Sequence, residues 1–161
     1  MNNLEIHLED TIGVIEEILA GGGEFRMYPR GRSMRPLIVE KRDSVVLIQK
    51  PLADIRRHDM VFYRRRNGQF VLHRLMRIEK DGTYTMCGDA QTALEKGICG
   101  DQIIGCVSVL YRKERPVTER SFGYRLYVFL WCNLVLRRAC MLGYRACRKL
   151  ARVFHVKKGE N

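Results

Sequence analysis

The sequence lacks the features that mark several familiar classes of protein. It has only four prolines in 161 residues and is 46% hydrophobic, which excludes collagen-like, low-complexity and disordered chains. The first twenty residues carry five acids where a secretory signal would have basic residues and an apolar core, so no cleaved signal is expected. At this length we expect one compact domain with an appendage.

Long apolar runs are also missing. The most apolar stretch, residues 126–136, has only Asn133 as a polar residue and is followed at once by Arg137 and Arg138. A membrane-spanning helix needs about 20 mostly apolar residues. The stretch is therefore too short to predict a crossing.

The cysteines form no recognisable metal or disulfide motif. There are six, with no CxxC pair and no His/Cys ligand cluster: Cys87, Cys99, Cys106, Cys132, Cys140 and Cys147. We interpret them as reduced thiols and expect neither a metal nor a cofactor. A disulfide scaffold and a structural zinc site are the weaker alternatives.

Charge is distributed unevenly along the chain. Residues 1–111 contain 16 Lys and Arg against 15 Asp and Glu, whereas residues 112–161 contain 13 against 3. Nearly all of the formal net charge of +11 thus belongs to the last fifty residues. The basic charge needs an explanation separate from that of the front of the chain.

Hydrophobic periodicity predicts a mainly β fold with a helix at each end. Apolar residues recur at helical spacing over 3–20, so residues 1–23 form an amphipathic helix. Residues 24–112 form the domain, a small barrel or coiled β-sheet, in which Asn67-Gly68 joins FYRRR to QFVLHR as a hairpin. Its predicted strands are Ser44–Gln49, Met60–Arg64, Gln69–Ile78, Thr83–Cys87 and Gln102–Tyr111.

Residues 113–161 are predicted to be a polar linker followed by one basic amphipathic helix over 122–154. Helical periodicity places Arg137, Arg138 and the later basic residues on one side, opposite an apolar face. Binding to an anionic membrane surface fits this pattern best. Packing against the N-terminal helix or a partner chain is the alternative. Nucleic acid is disfavoured because the strands show no array of aromatic and basic residues.

Two residues in the front half suggest nucleophilic chemistry. Ser33 lies between a glycine and a proline in an irregular loop, where its hydroxyl can be exposed. His73 interrupts an otherwise apolar strand. A Ser/His pair needs a carboxylate to orient the imidazole. Asp89 and Glu95, just after the next strand, are the two candidates, and the choice between them stays open.

These residues occur within a series of motifs that resembles a known peptidase family. GRSMRPLI, at 31–38, is similar to the nucleophile box of type I signal peptidases and the wider LexA-like (S24/S26) serine peptidases. KRDSVV at 41–46 and RHDMVFY at 57–63 resemble two further boxes of the family. VLHR at 71–74, CGDA at 87–90 and GDQIIG at 100–105 follow in the family's order, so the resemblance covers about residues 25–112.

The resemblance implies a serine endopeptidase of the Ser/His branch, which includes the endoplasmic-reticulum, archaeal and SipW-like enzymes. Ser33 would be the nucleophile and His73 the general base, titrating near its ordinary pKa of about 6.5. Ser33, with Gly31 or Arg32, would supply backbone N–H groups to the oxyanion. Met34 would line a subsite for small residues, in the box that ends with Pro36.

The expected substrate is a leader or signal segment of a polypeptide. Because the family's usual membrane anchor is replaced here by an acidic helix, we expect a cytoplasmic enzyme peripheral to the membrane through its C-terminal helix. Two alternatives remain: a self-cleaving, DNA-associated regulator of the LexA kind, and a catalytically silent binding module on the same fold.

Overall fold

The computed structural model describes residues 8–118 and 121–143, which form one mainly antiparallel β structure with three helices. The strands are β1 (Glu24–Met27), β2 (Asp43–Ile48), β3 (Met60–Arg64), β4 (Phe70–Ile78), β5 (Tyr84–Cys87), β6 (Glu95–Ile98), β7 (Ile103–Arg112) and β8 (Arg115–Val117). The helices are α1 (Leu8–Ala20), α2 (Phe122–Cys132) and α3, described over Leu134–Gly143.

All eight strands belong to a single open sheet. Its order is β1-β2-β7-β3-β4-β5-β6, and β8 adds to the end of β7. The mainly β class is therefore confirmed, and the sheet is not closed into a barrel. Tyr63 on β3 reaches Glu95, three strands away on β6, with a side-chain hydrogen bond of 2.8 Å.

Helix α1 packs into the core of the sheet. Its apolar positions recur at helical spacing, and Ile15 and Leu19 are each only 1% exposed. They share a hydrophobic cluster with Val45 and Leu47 of β2 and with Phe62 of β3. The apolar face of this amphipathic helix is therefore buried against the sheet. The residues before Leu8 lie outside the described part of the chain.

The central strand β3 is buried on both faces. Met60 and Phe62 join the cluster beneath α1, while Val61 and Tyr63 face a second cluster formed with β4, β5 and β6. Alternate residues of a strand point to opposite faces, so the run MVFY supplies both clusters. This second face carries the polar residues described below.

Three short strands were not predicted from the sequence. β1, β6 and β8 have only four, four and three residues, and they contain charged residues, a glycine or a proline. The stretch predicted as a polar linker contains β8, which Lys113 and Glu114 connect to β7. Both have positive φ, 48° and 63°, as a two-residue hairpin loop requires.

The C-terminal helix is broken rather than continuous. The axes of α2 and α3 differ by 96° across Asn133, so the prediction of one helix over 122–154 is wrong at this point. The Asn133 side chain accepts hydrogen bonds from the N–H groups of Val135 and Leu136 and so caps the start of α3. Residues 144–154 of the prediction lie outside the described residues.

Within residues 8–118 and 121–143, no single helix has both the length and the hydropathy needed to cross a bilayer. Only α2 and α3 taken together reach that length and hydropathy, and the bend separates them.

Candidate active site

Ser33 lies in the long connection between β1 and β2, in a run of turns that ends where Val39 N–H donates to the buried carboxylate of Asp43. The Ser33 side chain is half-buried, and its hydroxyl makes no hydrogen bond to any residue in the described part of the chain. Its backbone is held, because the N–H of Ala90 donates to the Ser33 carbonyl at 2.7 Å. The loop after β5 therefore fixes the position of the serine.

His73 is buried in β4, on the face that carries Tyr63. It pairs directly with Val61, so Tyr63 is its diagonal neighbour on the adjacent strand. Its Nδ1 lies 3.2 Å from the Tyr63 hydroxyl, and that hydroxyl lies 2.8 Å from Oε2 of Glu95. A carboxylate can only accept, so the tyrosine donates to Glu95 and accepts from Nδ1–H. The lone pair of His73 is thereby assigned to Nε2.

Glu95 is held in place by an arginine. Arg65 donates from Nε to Oε1 at 2.7 Å and from Nη2 to Oε2 at 2.5 Å, a bidentate pair. These bonds lower the pKa of Glu95, so it stays ionised. Its Oε2 is 3.9 Å from Nδ1 of His73, too far for a direct hydrogen bond. Of the two candidate carboxylates, Glu95 is thus the one on the Nδ1 side, acting through Tyr63.

Asp89 has different partners. It is fully buried and forms two hydrogen bonds of 2.9 Å with Arg74, which is also fully buried. The Tyr127 hydroxyl donates to the same carboxylate at 2.7 Å. Since Arg74 follows His73 in β4, this ion pair ties the base strand to the loop after β5.

Gly88 separates the serine loop from the histidine. A methyl group added to its Cα would lie 2.7 Å from the Ser33 carbonyl oxygen and 3.0 Å from Nε2 of His73. Real Cβ atoms essentially never approach backbone that closely, so this position accepts only glycine without movement of its neighbours. Ser33 and Nε2 of His73 therefore flank the same glycine.

A cleft of about 270 Å³ contains both residues. Among its lining residues are Gly31, Arg32 and Met34. Pro36 is exposed and lies outside the lining. The Gly31 N–H donates to the Glu40 carboxylate at 3.2 Å, so the expectation that Gly31 serves the oxyanion does not hold in this geometry.

The C-terminal helices contact the loop after β5, which the sequence analysis did not anticipate. The Trp131 indole donates to the Asp89 carbonyl at 2.8 Å. Arg137 is fully buried and donates from Nη1 to the carbonyls of Gly88 and Gln91, at 2.9 and 2.7 Å. Its predicted place on a solvent-facing basic side is therefore wrong, because the break at Asn133 turns it inward.

Burial changes the acidity of the histidine. Desolvation lowers the pKa of His73 to about 4, reinforced by the charge of Arg65 and opposed by those of Glu95 and Asp89. The expectation of titration near 6.5 is therefore corrected. The imidazole is neutral, as a general base must be, far into the acidic range.

The described residues contain free thiols but no cluster of metal ligands. Among the described residues, no three His, Cys, Asp or Glu side chains converge as metal ligands would. Five cysteines fall in this part of the chain and all are free thiols: Cys87, Cys99, Cys106, Cys132 and Cys140. Cys147 lies outside it.

Comparisons with protein-family models, with curated proteins and with solved structures give no match to this chain. The site is therefore interpreted from its own geometry.

We predict that Gly88→Ala disrupts the site. Its methyl group would press on the Ser33 backbone and on His73, so the cleft must deform and the protein should lose stability and any Ser33-dependent activity. Thermal unfolding and the rate of labelling of Ser33 by a fluorophosphonate would measure both effects. Gly13→Ala is the control, since a methyl group on Gly13 meets no atom and alanine favours the helix by roughly 0.5–1 kcal/mol. Equal behaviour of the two variants would contradict the packing described here.

Proposed function

We propose that this protein is a serine endopeptidase of the signal-peptidase-like and LexA-like kind, with Ser33 as nucleophile and His73 as general base. The observation that carries the proposal is that a half-buried serine and a histidine whose Nδ1 is bonded to Tyr63 line the same cleft. This arrangement leaves Nε2 as the proton acceptor, which is the role a general base needs.

In the proposed mechanism, Ser33 attacks the carbonyl carbon of a peptide bond. As the C–O bond forms, the hydroxyl proton passes to Nε2 of His73, which then delivers it to the leaving amine. Water repeats the sequence on the acyl-enzyme and releases the carboxyl product. Approach of the hydroxyl to Nε2 is expected on substrate binding, because catalytic hydrogen bonds are often unformed in a free enzyme.

The positive charge that forms on His73 is met by Glu95. Tyr63 accepts from Nδ1–H and donates to the carboxylate, so the two side chains hold the imidazole ring in one orientation. Glu95 has the role that an aspartate has in the Ser/His/Asp arrangement, with a tyrosine between. Asp89, engaged by Arg74, acts as a structural support in this proposal.

Backbone N–H groups of the serine loop are proposed to stabilise the oxyanion of the tetrahedral intermediate. The N–H groups of Arg32 and Ser33 make no hydrogen bond within residues 8–118 and 121–143, whereas the Gly31 N–H is bonded to Glu40. A backbone N–H next to the attacking oxygen stabilises the tetrahedral intermediate. Ser33 N–H is therefore the proposed donor.

The proposed substrate is a polypeptide, specifically a leader or signal segment with small residues near the cleavage point. Met34, which is 5% exposed and lines the cleft, limits the space beside Ser33. The alternatives are a self-cleaving DNA-associated regulator and a silent binding module. Cleavage of a separate peptide by a chain that itself stays intact distinguishes the proposal from both.

We predict that Ser33→Ala and His73→Ala each reduce cleavage of peptides rich in small residues by at least about 10²-fold, since each removes a group that acts in the transition state. Mass spectrometry of the products, and of the fluorophosphonate-labelled protein, measures the effect. Ser108→Ala is the matched control, because the Ser108 hydroxyl on β7 donates to the Val46 carbonyl on β2 and lies outside the cleft lining. An unlabelled and inactive wild-type protein would refute the proposal.

We predict that activity persists well below pH 6.5. Because burial holds the pKa of His73 near 4, the imidazole is still neutral at pH 5. The rate of labelling should therefore begin to fall only near pH 4, which is the acid limb of its pH profile. Glu95→Gln removes a charge that raises this pKa and should move the limb to lower pH. Labelling rates between pH 3.5 and 8, with circular dichroism to monitor folding, test this. A wild-type limb at 6.5 would show that the histidine is not desolvated.

A second proposal concerns the membrane surface. Phe122, Leu126 and Phe129 lie on one face of α2 and are 80%, 43% and 68% exposed. Arg125 is exposed on the same helix, so apolar and basic groups occur together. Tyr127 and Trp131, by contrast, bond the loop after β5. We propose that the exposed face of α2 binds an anionic membrane surface as a peripheral contact.

We predict that Phe122→Ser/Phe129→Ser weakens binding to vesicles containing anionic lipid by more than about tenfold, because burial of each phenyl ring contributes about 1.5–3 kcal/mol. Sedimentation with anionic and with neutral vesicles measures it. Ile78→Ser, at another exposed apolar residue that is on the sheet, should have no effect. Absence of lipid-dependent pelleting of the wild type would exclude this contact.

A further inference from the structure

A second, larger groove opens beside the Ser33 cleft. It has a volume of about 820 Å³ and lies between residues 90–95 and the later part of α3, at Arg138, Met141 and Leu142. Arg65 and Gln91 line both it and the Ser33 cleft, so the two adjoin at these residues. A substrate chain that leaves the cleft past Gln91 enters this groove.

The size of the Ser33 cleft gives a reason for such an extension. Its volume of about 270 Å³ is below the roughly 300–1,000 Å³ usual for ligand sites, whereas the groove falls within that range. The cleft is small for a polypeptide, and the groove offers an adjoining surface for the residues beyond it.

The wall of the groove is held rigidly. Arg137 donates to the carbonyls of Gly88 and Gln91 and, from Nε, to the Trp131 carbonyl at 2.5 Å. This anchors the start of α3 against the same loop that supports Ser33. Arg138, Met141 and Leu142 then lie along the groove.

The chemistry of the lining defines what can bind. Leu94, Met141 and Leu142 present apolar side chains, and Leu94 and Leu142 are 37% and 64% exposed. Arg65 is neutralised by Glu95. Arg138 is exposed and forms no ion pair with the residues that the structure describes. The groove is therefore apolar with one surplus positive charge.

We propose that this groove binds the segment of the polypeptide substrate next to the cleaved bond, and that it selects apolar side chains and rejects positive charge. The inference rests on the proposed peptidase function and specifies its substrate. Arg137 is, on this view, a positioning residue that fixes the groove to the catalytic loop.

The test uses quenched fluorescent peptides and the intact protein. One is a tetrapeptide of alanines; the others are dodecapeptides with the same centre flanked by leucine, by lysine or by glutamate. The leucine-flanked peptide should have a KM at least tenfold below that of the lysine-flanked one. The tetrapeptide has no flanks and reports on the Ser33 cleft alone. The wild type should also cleave the glutamate-flanked peptide better than the lysine-flanked one.

The variants separate this groove from general damage. Leu142→Lys should raise KM for the leucine-flanked peptide and leave kcat and tetrapeptide cleavage unchanged. Arg138→Glu should reverse the preference between lysine and glutamate flanks. Val135→Lys is the control, because Val135 is 75% exposed on α3 and lies outside the groove lining.

The outcomes distinguish the two levels of the proposal. If fluorophosphonate labels Ser33 normally but flanking residues do not affect KM, the groove assignment is overturned and the peptidase proposal stands. If Leu142→Lys changes binding to vesicles but leaves KM the same for every peptide, the groove binds lipid and its assignment to the substrate is overturned. If Ser33 is not labelled and no peptide is cleaved, the peptidase function itself has failed.

Discussion

Arg74 and Asp89 form an ion pair with no exposure to solvent, and the parts of the candidate site are arranged around it. Removing two charges from water is costly, and a buried pair is tolerated only where further hydrogen bonds satisfy the remaining atoms. Here Tyr127 donates to the carboxylate, and Arg74 donates from Nη1 to the His58 carbonyl. The pair thereby joins the strand that carries His73, the loop that holds the Ser33 backbone and the C-terminal helices.

The longer strands were predictable because the sequence marks them as β-branched and aromatic runs between turn signals, but one register was not. A two-residue Asn67-Gly68 loop would place Tyr63 opposite Leu72. The turn instead closes with the Arg65 N–H on the Gln69 carbonyl, which sets Tyr63 opposite Val71. A shift of one residue exchanges the faces of a strand. For that reason, Tyr63 could not be recognised from the sequence as the partner of His73.

The candidate site residues could be predicted from the sequence only where the order of the motifs pointed to them. Ser33 and His73 fall within the boxes of the resemblance and line one cleft, whereas Glu95 lies between the last two boxes and reaches His73 through Tyr63. Arg137 illustrates the limit, since helical periodicity assumes an unbroken axis. Asn133, the single polar residue in its stretch and a good helix-capping type, was the available signal of the break.

The contacts of Trp131 and Arg137 have a consequence for the order in which the site can form. Ser33 and His73 are made early during synthesis, but the loop at Gly88 also receives hydrogen bonds from Trp131 and Arg137, more than forty positions later. Such long-range contacts form only after the intervening chain has been ordered. A growing chain therefore contains both residues well before the C-terminal helices exist, and the candidate site acquires its last supporting contacts only when those helices are complete.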